Sequence, residues 1–190
     1  MAQEIEAKIK VDSFGPTRAK LEAAGAKFVG DVLETNVMFD TEDRTLLAAD
    51  KGLRVRCARN VADKSEQCTM TYKGPRSHSS MKSRPETELE VCDFHAAIEL
   101  LEQLKYLQVL SFEKRRQTWE LGGCKVELDE LPHLGCYVEI EGKTEQAIKE
   151  VQKTLGLAER PIVKTAYVGL MMSYLQDKGA STRAVSFAQK

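Results

Sequence analysis

From residue 4 the chain alternates charge and hydrocarbon with a period of two. Glu4, Glu6, Lys8 and Lys10 share one side of an extended segment, while Ile5, Ala7, Ile9 and Val11 share the other. The alternation returns further along, bringing together by parity Arg54 with Arg56, Thr71 with Lys73, Arg84 with Glu86, Glu88 and Glu90, Lys114 with Arg116, Lys125 with Glu127 and Asp129, and Glu139 with Glu141. The residues between them are mostly apolar: Leu53, Val55, Leu89, Val91, Val126, Leu128, Val138 and Ile140. One such strand describes a sheet with one face in water. Seven, carrying both signs of charge, imply that the ionic faces close around a common interior while the apolar faces turn outward under helices.

The punctuation of the chain supports this. Strands are expected at 3–11, 28–40, 52–59, 67–73, 84–91, 109–120, 124–129 and 137–141, with Gly122-Gly123 as a hairpin turn and Pro85 marking an entry or edge. Helices are expected after a cap at Asp12 or Ser13 with Pro16 in the first turn, over 94–107, over 145–155 and over 164–175. Strands following one another, with helices at the ends and in the middle, read as α+β: a closed or nearly closed antiparallel β-barrel of eight strands with flanking helices. Residues 1–176 form one domain in this reading, and 177–190 a flexible tail.

Composition narrows the partners. Of 190 residues 42% are hydrophobic, enough for a core, and no apolar run approaches membrane-spanning length. The net charge is only −1, so no basic field attracts nucleic acid and any polyanion site is a local concentration of Lys and Arg. No secretory signal is read at the N-terminus, and five cysteines without a Cys-x-x-Cys pair read as reduced thiols of a cytoplasmic protein. Oligomeric state is left open, with a homodimer admitted.

The mixture of signs carries the chemistry. Carboxylates two residues apart on one strand, repeated on another, suit a hard cation, Mg²⁺ or Mn²⁺, which takes oxygen ligands and shares them with substrate phosphates. Lys and Arg on a facing wall suit phosphate oxygens. A cavity holding both is a site for a metal-chelated polyphosphate.

The ordered set Glu-x-Glu-x-Lys (4–8), Leu-Arg-x-Arg (53–56), Thr-Tyr-Lys-Gly-Pro (71–75), Arg-x-Glu-x-Glu (84–88), Lys-x-Arg (114–116), Leu-Asp (128–129), Leu-Gly (134–135) and Glu-Ile-Glu (139–141) resembles the CYTH domain. This is the triphosphate tunnel metalloenzyme superfamily, and the resemblance covers roughly residues 3 to 175, nearest to class IV adenylyl cyclase-type members. It implies that Glu4, Glu6, Asp129, Glu139 and Glu141 hold metal. It implies that Lys8, Arg54, Arg56, Lys73, Lys114 and Arg116 grip the triphosphate, with Arg84 in substrate contact or in a wall ion pair. Glu6, Asp129 and Lys8 are the residues expected at the reacting centre. Lys164 matches a late basic residue, although Lys164-Thr165-Ala166-Tyr167 departs from the family's Ser-Tyr.

The reaction implied is displacement at phosphorus of a small triphosphate, helped chiefly by positioning and charge. Hydrolysis of inorganic triphosphate or a small organic triphosphate is the leading expectation. Cyclisation of ATP to cyclic AMP and pyrophosphate, thiamine triphosphate hydrolysis, and a non-catalytic polyphosphate-binding module are the alternatives. Phe112, Trp119 and Tyr72 are the aromatic candidates for a base pocket, though packing is the commoner use of such residues. The basic segment 76–84 is read either as a flap over the substrate or as an ordinary connection.

Overall fold

The structure, a computed structural model, describes residues 5–75, 84–180 and 182–188. Glu4 and most of the basic segment, residues 76–83, lie outside the described residues. The chain runs β1 (Ile5–Val11), α1 (Gly15–Ala23), β2 (Lys27–Asp40), α2 (Thr45–Ala48), β3 (Gly52–Asn60), β4 (Glu66–Lys73), β5 (Glu86–Val91), α3 (Phe94–Gln103), β6 (Leu107–Leu121), β7 (Cys124–Leu131), β8 (Gly135–Gly142), α4 (Glu145–Thr154), α5 (Tyr167–Asp177) and β9 (Ala184–Val185). Eight strands form one antiparallel sheet in the order β1-β8-β7-β6-β2-β3-β4-β5. Among the described residues no ladder joins β1 to β5, so the barrel is nearly closed, with a seam between those edges.

Two long strands make its spine. β2 and β6 pair from Lys27↔Glu120 to Asp40↔Leu107, with register shifts near Phe28 and Met38. Such irregularities bend and twist a strand, which an eight-stranded sheet needs in order to curl. β6 turns into β7 through Gly122 and Gly123 at φ 59° and 74°. Both lie in the left-handed region that a tight hairpin turn demands of its two central residues.

The apolar parity is buried as expected on most strands, although Leu89 on the edge strand β5 is 56% exposed. Ala7, Ile9, Val126, Leu128, Val138 and Ile140 pack under Leu21 of α1, Ile148 and Val151 of α4, and Leu155 just beyond α4. Val37, Phe39, Leu53 and Val55 pack under Ala97 and Leu101 of α3. A side chain of this size moved from water into such a layer stabilises the fold by about 1.5–3 kcal/mol. The α3 and α4 helices start at side-chain caps: Asp93 accepts from the backbone N–H of His95 and Ala96, and Thr144 from that of Ala147.

A third cluster breaks the parity. Met38, Leu110, Phe112, Leu131 and Tyr137 belong to the inner face by register, yet they are buried against Met171 and Leu175 of α5 and Val185 of β9. One end of the barrel interior is therefore filled with hydrocarbon, where β7 passes into β8. Phe112 and Trp119 are core residues here, Trp119 edge-on to Phe28 at 5.0 Å, and Tyr72 is 38% exposed.

Several local expectations shift. Neither Asp12 nor Ser13 caps α1; its N-cap is Phe14, without a side-chain cap, and Pro16 enters the first turn. A short helix, α2, occupies the expected connection, its first N–H groups drawn to the buried carboxylate of Asp40. The last helix begins at Tyr167, not at residue 164. Beyond it, in the stretch read as a tail, Ala184 and Val185 pair parallel with Ser111 and Phe112, on a part of β6 that β7 does not reach.

Candidate active site

The ionic parity converges. Register sets Glu6 opposite Glu141, Lys8 opposite Glu139, Glu127 opposite Glu139, and Arg116 opposite Asp129. At the centre stands Arg116. Its Nε donates to Asp129 Oδ1 at 2.6 Å, and its Nη2 donates to Asp129 Oδ2 at 2.5 Å and Glu139 Oε2 at 3.0 Å. Its Nη1 meets Glu127 Oε2 at 2.6 Å, and Glu34 Oε1 lies 3.8 Å from Nε. Four carboxylates thus surround one guanidinium. Lys114 Nζ adds contacts to Glu34 Oε2 at 3.1 Å and Asp129 Oδ2 at 3.4 Å, and Lys8 Nζ lies 3.7 Å from Glu139 Oε1.

Burial makes these charges interdependent. Asp129 is wholly buried; burial alone would raise its pKa, but Arg116 and Lys114 hold it below the usual carboxyl value. Glu34 is also held well below the usual carboxyl value: burial would raise it, but Lys114, Arg116, Arg56 and Arg54 together overcome that effect. Glu139 goes the other way, pushed up to about 7 by burial and by the charges of Asp129 and Glu6, against the pull of Arg116 and Lys114.

Carboxylate oxygens of Glu127, Asp129 and Glu139 lie within 4.8 Å of one another. A hard divalent cation fits such a set. Its oxygen ligands are gathered by three strand positions, and the raised pKa of Glu139 reflects first its burial and then the neighbouring charges of Asp129 and Glu6. Glu141 belongs to the outer part of this acidic pole, with Lys125 Nζ 2.5 Å from its Oε2, and Glu6 stands across from it.

A second, more basic wall lies along β3, β4 and the chain before β5. Arg56 bridges Glu34 and Glu88, each at 3.6 Å, and Lys73 Nζ is 2.6 Å from Glu86 Oε1. Arg84 precedes β5, half-buried and near enough to Lys73 for the two charges to repel. Arg54 differs from the others. Its Nη2 donates to Thr71 Oγ1 at 3.3 Å, while its Nε is buried without a hydrogen-bond acceptor among the described residues. Burial and the neighbouring Arg56 bring its pKa down to about 10.

Lys8, Arg54, Arg56, Lys73, Lys114, Arg116, Glu6, Asp129, Glu139 and Glu141 all lie on the inward parity of the sheet. Lys164 does not join them; it is exposed in the connection before α5. That segment delivers Tyr167 instead, whose ring sits 4.1 Å from Lys8 Nζ and 5.7 Å from Lys114 Nζ. Burial and the charges of Asp129 and Glu139 raise the Tyr167 pKa well above the ordinary phenol value. Glu34, Glu127 and Tyr167 are the members that sequence reasoning left out of the site. Glu34 and Asn36 share a parity on β2 and could have been found by the rule applied to the other strands; for Tyr167 no periodic signal exists.

Comparison with known proteins agrees with this architecture. The CYTH domain family model matches residues 2–166. A curated protein of Methanocaldococcus jannaschii, provisionally named an adenylate cyclase, is 24% identical over 176 residues, spanning 88% of this chain and 97% of that one. The solved PH1819 protein of Pyrococcus horikoshii OT3 superposes with a TM-score of 0.77 at 24% identity, over 90% of this chain and 99% of that one. A Hippeastrum protein provisionally named an adenylyl cyclase, and described as having a dominant triphosphatase activity, superposes with a TM-score of 0.67 at 19% identity, over 96% and 98%. Among the described residues no helix is long and apolar enough to cross a membrane.

Proposed function

Because the chain belongs to the CYTH domain family, we propose that it is a divalent-metal-dependent enzyme acting on a triphosphate bound inside the barrel, and that its reaction is hydrolysis of inorganic triphosphate or a small organic triphosphate. The observation that carries this reading is the presence of two unlike walls on one inner face of the sheet. One gathers Glu127, Asp129 and Glu139, and the other holds Arg54, a half-buried cation whose buried Nε has no acceptor among the described residues. A binder of anions alone would gain nothing from the acidic wall, and a binder of cations alone nothing from Arg54.

In this mechanism Arg54, Arg56 and Lys73 take the phosphate oxygens at one side, and Lys8 and Lys114 neutralise them from the other. Tyr167 fixes the two lysine ammonium groups against its ring face. Arg116, which holds four carboxylates in the resting protein, turns toward phosphate when the substrate arrives, freeing the oxygens of Asp129, Glu127 and Glu139. A divalent cation held by those oxygens, with Glu6 and Glu141 at the margin, would polarise the phosphoryl group and offset its charge. Glu139, beside Lys8 and Arg116, would serve as one of those oxygen ligands. Phe112 and Trp119 are committed to packing, so the barrel offers these aromatics to no nucleobase.

The provisional names of the Methanocaldococcus and Hippeastrum proteins support a second reading, cyclisation of ATP. A product assay separates the two. Tripolyphosphate, ATP and thiamine triphosphate are each incubated with Mg²⁺, Mn²⁺ or EDTA, and orthophosphate is resolved from pyrophosphate plus cyclic nucleotide. Metal-dependent orthophosphate release from tripolyphosphate is the expected result. Cyclic AMP with pyrophosphate would establish the second reading, and binding without turnover would reduce the protein to a polyphosphate-binding module.

A further inference from the structure

We propose that Cys57 and Cys68 form a reversible, oxidant-responsive disulfide that fastens β3 to β4. The two residues are direct partners in the antiparallel ladder, and their Sγ atoms are in contact at 2.7 Å. Opposed residues in such a ladder have Cα atoms about 4.5–5.5 Å apart. That separation lies within the roughly 4.4–6.8 Å a disulfide spans, so closure needs no movement of the strands. Both thiols are half-buried and sit on the outer face of the hairpin, away from the ionic interior.

No other pair among the five cysteines is matched by register. Cys124 faces Leu121, Cys136 faces Val11 and Glu130, and Cys92 is an exposed residue just past β5. The hairpin is also a meaningful place for a covalent tie, because its inner face carries Arg54 and Arg56 opposite Thr71 and Thr69. Burial, the Cys68 thiol and the Glu66 carboxylate push the Cys57 pKa up to about 12. Cys57 therefore rests as a protonated thiol at neutral pH, and its reaction quickens as pH rises, since the thiolate is the reacting form.

The oxidant required is a peroxide or a small-molecule disulfide. With hydrogen peroxide, one sulfur attacks the O–O bond to give a sulfenic acid and water. The second sulfur then displaces the hydroxyl as a second water, and the Sγ–Sγ bond forms. Two electrons and two protons leave the thiols and reduce the peroxide. A dithiol reverses the step.

The test uses the full chain, reduced and then freed of reductant, and treated with hydrogen peroxide at graded pH. Non-reducing digestion and mass spectrometry are expected to give a peptide pair joined through Cys57 and Cys68, lighter by two hydrogens and restored by dithiothreitol. Its yield should rise with pH. Cys92→Ser should leave the link intact, and Cys57→Ser or Cys68→Ser should abolish it. Oxidation should raise the melting temperature of the wild type by several degrees, with no shift in the Cys57→Ser, Cys68→Ser double variant. Recovery of Cys57 and Cys68 as unlinked sulfinic acids, or of Cys68 joined to Cys92, would overturn the proposal.

Discussion

Arg54 and Glu139 show how a single side chain in this interior can be read through its missing partner. Arg54 is a half-buried cation whose buried Nε has no acceptor among the described residues, so it weakens the resting fold and strengthens the fold that holds an anion. Arg54→Ala is expected to leave the melting temperature of the ligand-free protein unchanged or higher, and to raise the KM for tripolyphosphate by about 10- to 100-fold, the size of one charge-assisted contact. Steady-state kinetics beside a thermal melt check both halves. Glu139 is the acidic counterpart. Its pKa in the fold rises from 4.5 to about 7, so the fold favours its protonated form. That stabilisation is complete below about pH 4.5 and is lost as pH climbs through 7. Glu139→Gln should therefore gain on the wild type in EDTA between about pH 5 and about pH 8, by up to ~3 kcal/mol, while losing turnover. Parallel melts across that range would show the two curves diverging; parallel curves would contradict the assignment.

At the scale of elements, each strand divides its labour by parity, and neighbouring positions should fail in opposite ways. Ile140 lies between Glu139 and Glu141 on β8, wholly buried under α4. Ile140→Ala should cost about 2–5 kcal/mol in chemical denaturation yet keep kcat at a temperature where the variant is folded. Glu141→Gln next to it should leave the denaturation midpoint nearly unchanged and abolish metal-dependent turnover. The division between these neighbours was legible in the sequence because a strand has an integral period, so seven alternating segments had one consistent solution. The same rule, left unapplied to β2, hid Glu34. What the pattern could not give was the seat of α5. Met38, Leu110, Phe112, Leu131 and Tyr137 occupy inward positions indistinguishable by spacing from those of the ionic residues, and only the docking of Met171 and Leu175 separates them. Lys164 stands apart from the cluster for a related reason: a helix starting three residues late presents Tyr167 to it and leaves the lysine in solvent.

The whole molecule is close to electrically neutral, yet its charges are gathered into a lumen where a trio of carboxylates and a set of arginines and lysines interlock. A ligand pair that engages both walls should stabilise it more than either ligand alone. Mn²⁺ and tripolyphosphate, each at about 100 times its dissociation constant and with turnover blocked by Glu6→Gln, should each add about 2.7 kcal/mol to unfolding when alone, and together more than the ~5.4 kcal/mol sum. Calorimetry with each ligand alone and both together would check this; strict additivity would mean that the walls act independently. The hydrocarbon bung contributed by α5 has a different bearing, on traffic. With Met171 and Leu175 sealing one end against Phe112 and Tyr137, the barrel is a cul-de-sac. Whatever enters must leave by the opposite mouth or through the slit between β1 and β5. A chain of phosphates cannot be reeled through it from end to end, and cleavage should stop at the first few residues that reach the bottom.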